Sequence, residues 1–223
     1  MSERSGTPAD DPYGGREPTS HERMTGRSWD ASYTDGPAPW DVGGPQPVVE
    51  RLVASGGFAG AVLDVGCGAG DNTLQIADAG LPGVSVLGVD VAETALAMAR
   101  AKADGRGLDV EFAVADAFRL ELLGRTFDTL LDCGMFHTCD ADERPRYAAS
   151  LASATRPGGT LYVLCFSDEG PDAGPHPVSR DVLQAAFAPS RGWQIATITA
   201  DRVLTRFHGD AGAPAWLATI TRK

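Results

Sequence analysis

Residues 62–70 read VLDVGCGAG. A short apolar run carries an acid, Asp64, and passes into Gly66, Gly68 and Gly70, with Cys67 between the first two. Glycines in such a turn permit tight bending and let bare backbone approach a ligand. A helix starting just beyond offers N–H groups with no partner of their own. Two more acids close similar apolar runs: Asp90, followed by Val91, ends VSVLGVD, and Asp116 lies in VADA. This set suits the binding of a nucleoside. Asp90 can accept from both ribose hydroxyls, as the acid after the second strand does in dinucleotide sites. Asp116 can accept from an adenine amino group, with the Ala117 N–H on the ring. After a fourth run comes His137, in CGMFHTCD. Its ordinary pKa of about 6.5 suits proton transfer near neutrality.

Two cofactor classes use a glycine turn of this kind. The dinucleotide fingerprint is GxGxxG and holds a pyrophosphate. Here the spacing is GxGxG, and Asp71 stands where the dinucleotide pattern has its third glycine. An anionic side chain there repels a pyrophosphate. S-adenosylmethionine has no phosphate, and its ammonium group seeks a carboxylate such as Asp64. The competing readings are a nicotinamide-dependent oxidoreductase and a non-catalytic module that binds S-adenosylmethionine.

The elements that must position these residues follow an alternating pattern. Strands are predicted at 61–65, 84–90, 109–115, 127–132 and 160–166, with helices at 46–55, 70–79, 92–103 and 140–154 between them. Pro47 suits a first helical turn, and Gly80 stops the second helix. Pro145 moves the start of the fourth helix toward Arg144, and Pro157-Gly158-Gly159 turns the chain into the fifth strand. A loop at 167–177 precedes a helix capped by Ser179, and strands near 193–199 and 215–221 form a closing hairpin. Alternating strands and helices give an α/β fold, a parallel sheet covered on both faces. Ligands of such sheets bind at the carboxyl ends of the strands. Residues 1–27, rich in Gly, Pro, Ser, Thr and charge, read as a flexible tail. Residues 28–47 (SWDASYTDGPAPWDVGGPQP) are too aromatic for a linker and read as a cover packed over the site. The domain is expected to span 28–223.

Taken together, VLDVGCGAG, VLGVD, VADA, FDTLLDCGMFH and RPGGTLYVL resemble the successive motifs of class I S-adenosylmethionine-dependent methyltransferases. The resemblance covers about residues 45–223. It implies a Rossmann-like three-layer sandwich whose seven-stranded, mostly parallel sheet has an antiparallel last strand. It implies Gly66, Cys67, Gly68 and Gly70 around the methionine part of the cofactor, Asp90 on the ribose, Asp116 near adenine and Cys133 near the cofactor's centre. Trp29 and the WDVGGPQP stretch are similar to the thiopurine, halide and thiol methyltransferase group. That similarity implies Trp29, Tyr33 and Trp40 as walls of the active site and brings thiols forward as acceptors.

Methyl transfer from a sulfonium is an in-line displacement whose leaving group needs no proton, so alignment and exclusion of water can carry much of it. A base is needed only for an acceptor that arrives protonated with a high pKa. His137 is the candidate base. Phe136 and Phe166, which follow strands, are candidates for the acceptor pocket. His21, His176 and His208 read as solvated. The net charge is −11, which disfavours a nucleic-acid partner. A small-molecule acceptor is expected. No apolar run approaches the roughly 18 residues of a membrane span, and the N-terminus lacks a secretory apolar region, so a cytoplasmic location is expected. The four cysteines form no CxxC pair, and no metal is implied.

Overall fold

The computed structural model describes residues 11–170 and 174–223. Seven strands make one sheet: β1 (Ala61–Val65), β2 (Ser85–Asp90), β3 (Glu111–Val114), β4 (Phe127–Cys133), β5 (Thr155–Phe166), β6 (Trp193–Val203) and β7 (Ala213–Arg222). Their spatial order is β3-β2-β1-β4-β5-β7-β6. The first five run parallel, whereas β7 pairs antiparallel with both β5 and β6. This is the Rossmann-like sheet with an antiparallel last strand. The strand order reverses between β1 and β4, so the carboxyl ends of these two strands flank the crevice where ligands of such sheets bind.

Helices α1 (Ser20–Thr25), α2 (Pro47–Ala54), α3 (Asp71–Asp78), α4 (Glu93–Arg106), α5 (Glu143–Ala154) and α6 (Arg180–Ala186) complete the fold. Successive side chains of a strand face opposite sides of a sheet, and β1 shows the consequence. Val62 packs with Val48, Ile76, Leu131 and Leu164 on one face, while Leu63 and Val65 pack with Leu130, Tyr147, Leu161 and Trp216 on the other. Helix α4 adds a third cluster, in which Leu96, Ala99 and Ala103 meet Leu74 and Phe112. The indole N–H of Trp216 donates to the Val178 carbonyl at 2.9 Å, so this ring is buried with its one polar group satisfied.

Several boundaries differ from the expected ones, and three have a clear local cause. Helix α4 runs past Gly105 and ends at Gly107, whose φ of 66° makes it the left-handed cap. A single glycine costs a helix only about 1 kcal/mol, too little to stop a packed one. Strand β5 begins at Thr155 rather than Thr160, with a register shift opposite Phe127 to Thr129. Pro157-Gly158-Gly159 is therefore an irregularity inside the strand. Gly159 fits because a Cβ there would lie 2.8 Å from Arg156 O and 3.0 Å from Asp128 O. The third difference is the N-terminus. Residues 1–10 of the expected tail lie outside the described residues, but residues 20–25 form α1, and Glu22 within it is completely buried.

Truncating Trp216 to alanine should lower stability by about 3–5 kcal/mol, the usual cost of deleting a buried aromatic side chain. Urea unfolding measures it, and a loss below about 1 kcal/mol would show that this face is not packed as a core.

Candidate active site

A cavity of about 490 Å³ opens at the carboxyl ends of β1, β2, β3 and β4. Its floor is the glycine loop. The N–H groups of Gly66 and Cys67 both donate to Val89 O, at 2.8 and 2.9 Å, which fastens the loop to the end of β2. Asp90 completes the tie by accepting from Gly68 N and Ala92 N at 2.9 Å each. Burial raises the Asp90 carboxyl, against the pull of these N–H bonds. Each of its oxygens keeps a lone pair for a further donor. Asp116 accepts from Phe118 N at 2.9 Å and lines the cavity with Ala117, Val91 and Cys133.

Gly68 has φ 53°, and a Cβ there would stand 2.6 Å from the Tyr33 hydroxyl. Tyr33 thus rests on the loop, and only glycine leaves it room. Its hydroxyl accepts from Trp40 Nε1 at 2.7 Å, while burial and then Asp90 push the phenol pKa up. Trp29, Tyr33 and Trp40 all line the cavity. The segment 28–47 is pinned by Asp30, which accepts from Thr94 N at 2.7 Å.

The structure assigns Asp64 and Phe136 elsewhere. Asp64 does not line the cavity. It is buried, its Oδ2 accepts from the Thr73 hydroxyl at 2.5 Å, and burial moves its pKa up to about 7. The side chain of this interior residue of β1 turns into the protein instead of toward the strand tip. Phe136 is fully buried against Phe187 and Tyr147, with ring centroids 5.4 and 6.4 Å away, and belongs to the core. Asp71 lines the cavity but pairs with Lys102 at 2.6 Å. Its charge is therefore balanced, which weakens the electrostatic case against a pyrophosphate.

His137 lines the cavity from the turn after β4. Asp132 builds that turn by accepting from Met135 N at 2.8 Å, Phe136 N at 3.3 Å and the Tyr147 hydroxyl at 2.9 Å. The sequence reading passed over Asp132. His137 Nδ1 accepts from Phe166 N at 3.3 Å, and the ring lies 4.1 Å from that of Phe166. Burial first, then His21, His176 and Arg144, lower its pKa to about 3. The ring is neutral, and with Nδ1 accepting, its proton sits on Nε2. This is a hydrogen-bond donor, not the general base expected at this position.

The expected flexible tail contributes to the site as well. Arg16, Thr19 and His21 line the cavity. Glu22 organises them: it accepts from Thr19 N at 2.8 Å, Trp29 N at 3.0 Å and Arg16 Nη1 at 2.6 Å. Burial alone would raise this carboxyl; Arg16 and the backbone donors outweigh it and hold its pKa down. Ser20 N donates to Glu143 on α5 at 2.6 Å, which seats α1 on the domain. On the far rim, the Gln46 side chain makes two bonds to the Leu204 backbone, at 2.8 and 2.9 Å. These bonds hold the loop that carries Phe207 and His208 against the cavity. His21 and His208 are therefore not solvated histidines, as expected from sequence, but parts of the wall.

Residues 62–159 match the family model described as a methyltransferase domain. Over 181 residues the chain is 36% identical to a 2-heptyl-1-hydroxyquinolin-4(1H)-one methyltransferase of Mycobacteroides abscessus, covering 78% of each protein. It is 30% identical to a probable thiol methyltransferase 2 of Arabidopsis thaliana, covering 72% of this chain and 71% of the plant protein. Among solved structures, one described under the conversion of a disulfide bond into a thioacetal group during echinomycin biosynthesis is 36% identical. It has a TM-score of 0.73 and covers 84% of this chain and 86% of that one. Magnesium protoporphyrin IX methyltransferase of Synechocystis with bound S-adenosylmethionine is 25% identical, with a TM-score of 0.60 and coverage of 79% and 76%. The chain belongs to the family of S-adenosylmethionine-dependent methyltransferases, alongside enzymes that methylate small molecules. It is an enzyme of that class, with S-adenosylmethionine as its cofactor, and the oxidoreductase reading is set aside.

Glu22→Gln should release the Arg16, Thr19 and Trp29 contacts at a cost on the order of 2 kcal/mol, since one charged acceptor holds all three. Hydrogen exchange of residues 16–29 should quicken, with the core unchanged. The folded carboxyl has a depressed pKa, so its stabilisation is present above the ordinary carboxylate range. It is lost as pH falls through the lower folded value. Protection against exchange, relative to the intrinsic rate at each pH, should fall selectively in this segment on acidification, and a uniform fall across the protein would refute the clasp.

Proposed function

We propose that the enzyme methylates an ionised oxygen or sulfur on a planar, small-molecule heteroaromatic acceptor. The observation that carries this reading is a neutral His137 in an aromatic-walled cavity, with Nδ1 engaged and Nε2–H left to donate. The names of the relatives agree with it, one acting on a hydroxyquinolone and another called a thiol methyltransferase. The net charge of −11 supports an acceptor other than nucleic acid. No helix among the described residues is long and apolar enough to cross a membrane. We place the enzyme in the cytoplasm, with residues 28–223 as the domain expected from sequence extended at least to Arg16, and with segment 28–47 covering the site.

The cavity fits the cofactor. The glycine loop leaves bare backbone under Tyr33, and Asp90 has free lone pairs at the strand end. In this reading Gly66, Cys67, Gly68 and Gly70 take the methionine part, with Cys133 beside them. Asp90 and Val91 hold the ribose, and Asp116 and Ala117 hold adenine. Bound S-adenosylmethionine supplies an electrophilic methyl group on a sulfonium. Trp29, Tyr33 and Trp40 shut out water and turn aromatic faces toward the cation, an attraction of about 0.5–2 kcal/mol. Phe166 lines the acceptor side. His137 donates from Nε2 to the acceptor's anionic atom and so holds it for in-line attack. Because no proton need be removed, the acceptor's own acidity decides when it reacts.

Titration with S-adenosylhomocysteine and, separately, with NAD tests the cofactor site. Asp90→Ala should weaken S-adenosylhomocysteine about 10–100-fold, the loss of one or two hydrogen bonds to a charged group. Unchanged affinity would remove the ribose assignment. The acceptor reading is tested by pH profiles of kcat/KM for two acceptors of different acidity. His137, with a pKa of about 3, stays neutral from pH 5 to 9. Each profile should therefore rise through the acceptor's own pKa. A shared inflection near 6.5, the ordinary histidine value, would instead restore a base.

A further inference from the structure

Residues 204–208 follow β6 and pair with no strand, yet Leu204, Thr205, Phe207 and His208 line the cavity. The cover holds this loop in place. Gln46 exchanges two side-chain bonds with the Leu204 backbone, at 2.8 and 2.9 Å. Arg206 donates from its backbone N–H to Pro39 O at 2.8 Å and from Nε to Asp41 O at 2.6 Å. Gln46 is itself fixed, because its N–H donates to Asn72 Oδ1 on α3 at 2.9 Å. Within the loop, the Thr205 hydroxyl lies 2.7 Å from His208 Nδ1 and accepts from Phe207 N at 3.2 Å. The loop thus uses the Leu204 backbone and the Thr205 hydroxyl to fix its own shape, and it turns mostly carbon toward the cavity.

Phe207 is 79% exposed, the most exposed of the large apolar side chains among the described residues. A lone exposed apolar side chain is ordinary on a protein surface. This one stands at the mouth of a cavity, on a loop that four bonds to the cover hold still, and so offers apolar area that a ligand can bury. Ring distances place the loop on the side of His137. The Phe166 ring lies 4.1 Å from that of His137 and 6.1 Å from that of His208. Gly174 closes on the same ring, since a Cβ there would collide with Phe166. Pro39, bonded to Arg206, and Val203, next to Leu204, extend the apolar lining around the loop.

We infer that residues 204–208 are the specificity loop for the acceptor: Phe207 covers an apolar substituent where it leaves the cavity, and Gln46 is the positioning residue that holds Phe207 there. The acceptor class is then a planar ring with its ionised oxygen or sulfur at one edge and an alkyl or aryl group at another. Both residues lie outside the segment 62–159 matched by the methyltransferase model, so selectivity is built around the shared domain and not within it. The inference rests on the acceptor reading above and adds to it the substituent and the residue that selects it.

The test uses the full-length chain and two acceptors, 1-hydroxyquinolin-4(1H)-one with and without a heptyl chain on the carbon beside the ring nitrogen. The readout is the ratio of kcat/KM for the alkylated acceptor to that for the bare one. Wild type should favour the alkylated acceptor about tenfold or more, and Phe207→Ala should cut that ratio about tenfold, the effect of uncovering much of one aromatic side chain. Phe207→Leu, which stays apolar, should keep most of the ratio. Kd for S-adenosylhomocysteine should stay within about twofold in both variants. Gln46→Ala should also cut the ratio and should speed hydrogen exchange of residues 204–208, which Phe207→Ala should not. A ratio that survives Phe207→Ala, or a wild type that turns over both acceptors equally, would overturn the inference and leave the acceptor reading standing. An unchanged ratio or unchanged exchange in Gln46→Ala would overturn the positioning role of Gln46. Wild-type silence on both acceptors would overturn the acceptor reading, and this inference with it.

Discussion

The site depends on the tie between two adjacent strand ends. Gly66 and Cys67 donate to Val89 O, and Asp90 accepts from Gly68 and Ala92. These bonds convert the exit from β1 into a fixed floor, with backbone turned up toward the ligand. They also locate Asp90, because its carboxylate is the element that closes the tie. Gly70 serves the floor from below: a Cβ there would lie 2.7 Å from Ala99 Cβ and 3.1 Å from the Phe112 ring. One glycine thus admits Tyr33 above the loop and another admits α4 beneath it. Neither space exists for a larger residue, so the loop is thin as well as bent.

A thin floor binds little until something covers it. The cover here is held by polar contacts as well as apolar packing: the buried Glu22 on Arg16, Thr19 and Trp29, the Glu143 bond to Ser20, and the Asp30 bond to Thr94. Polar contacts of this kind exchange readily with water, whereas the core beneath is packed by aliphatic and aromatic side chains. The cover also brings Trp29, Tyr33 and Trp40 against Ala38, Ala69, Ala92 and Ala95, so its opening would uncover aromatic side chains.

Much of this was legible because the sheet imposes a period on the sequence. Each short apolar run ending in an acid proved to be a strand, and its acid or following turn lay at the correct edge. The misses have local causes. Asp64 was read by position in its motif, but an interior strand residue faces whichever side its register dictates, and here that is Thr73. Phe136 was read as a pocket residue because it follows a strand, yet the turn set by Asp132 folds it into the core and presents His137 instead. The N-terminal helix did leave a signal. Thr19 to Glu22 reads T-S-H-E, a capping box, masked by the Gly- and Pro-rich residues around it. Contacts such as Gln46 to Leu204 join residues far apart in the chain and have no local signature.

The division of charge across the cavity bears on why a base is dispensable. A base must hold its lone pair toward the acceptor and carry a positive charge after taking the proton. His137 is badly placed for both, because Nδ1 is occupied and the buried ring lies beside His21, His176 and Arg144, which oppose a further cation. The same surroundings favour an anion at Nε2–H, since each of those neighbours is neutral or positive. Burial, the largest cause of the lowered His137 pKa, raises that of a hydroxyl or thiol, and only the positive neighbours act on both in the same direction. The acceptor must therefore arrive already ionised by its own acidity, with its proton left in water. The bond that occupies Nδ1 and disqualifies His137 as a base is the one that leaves Nε2–H to meet that anion.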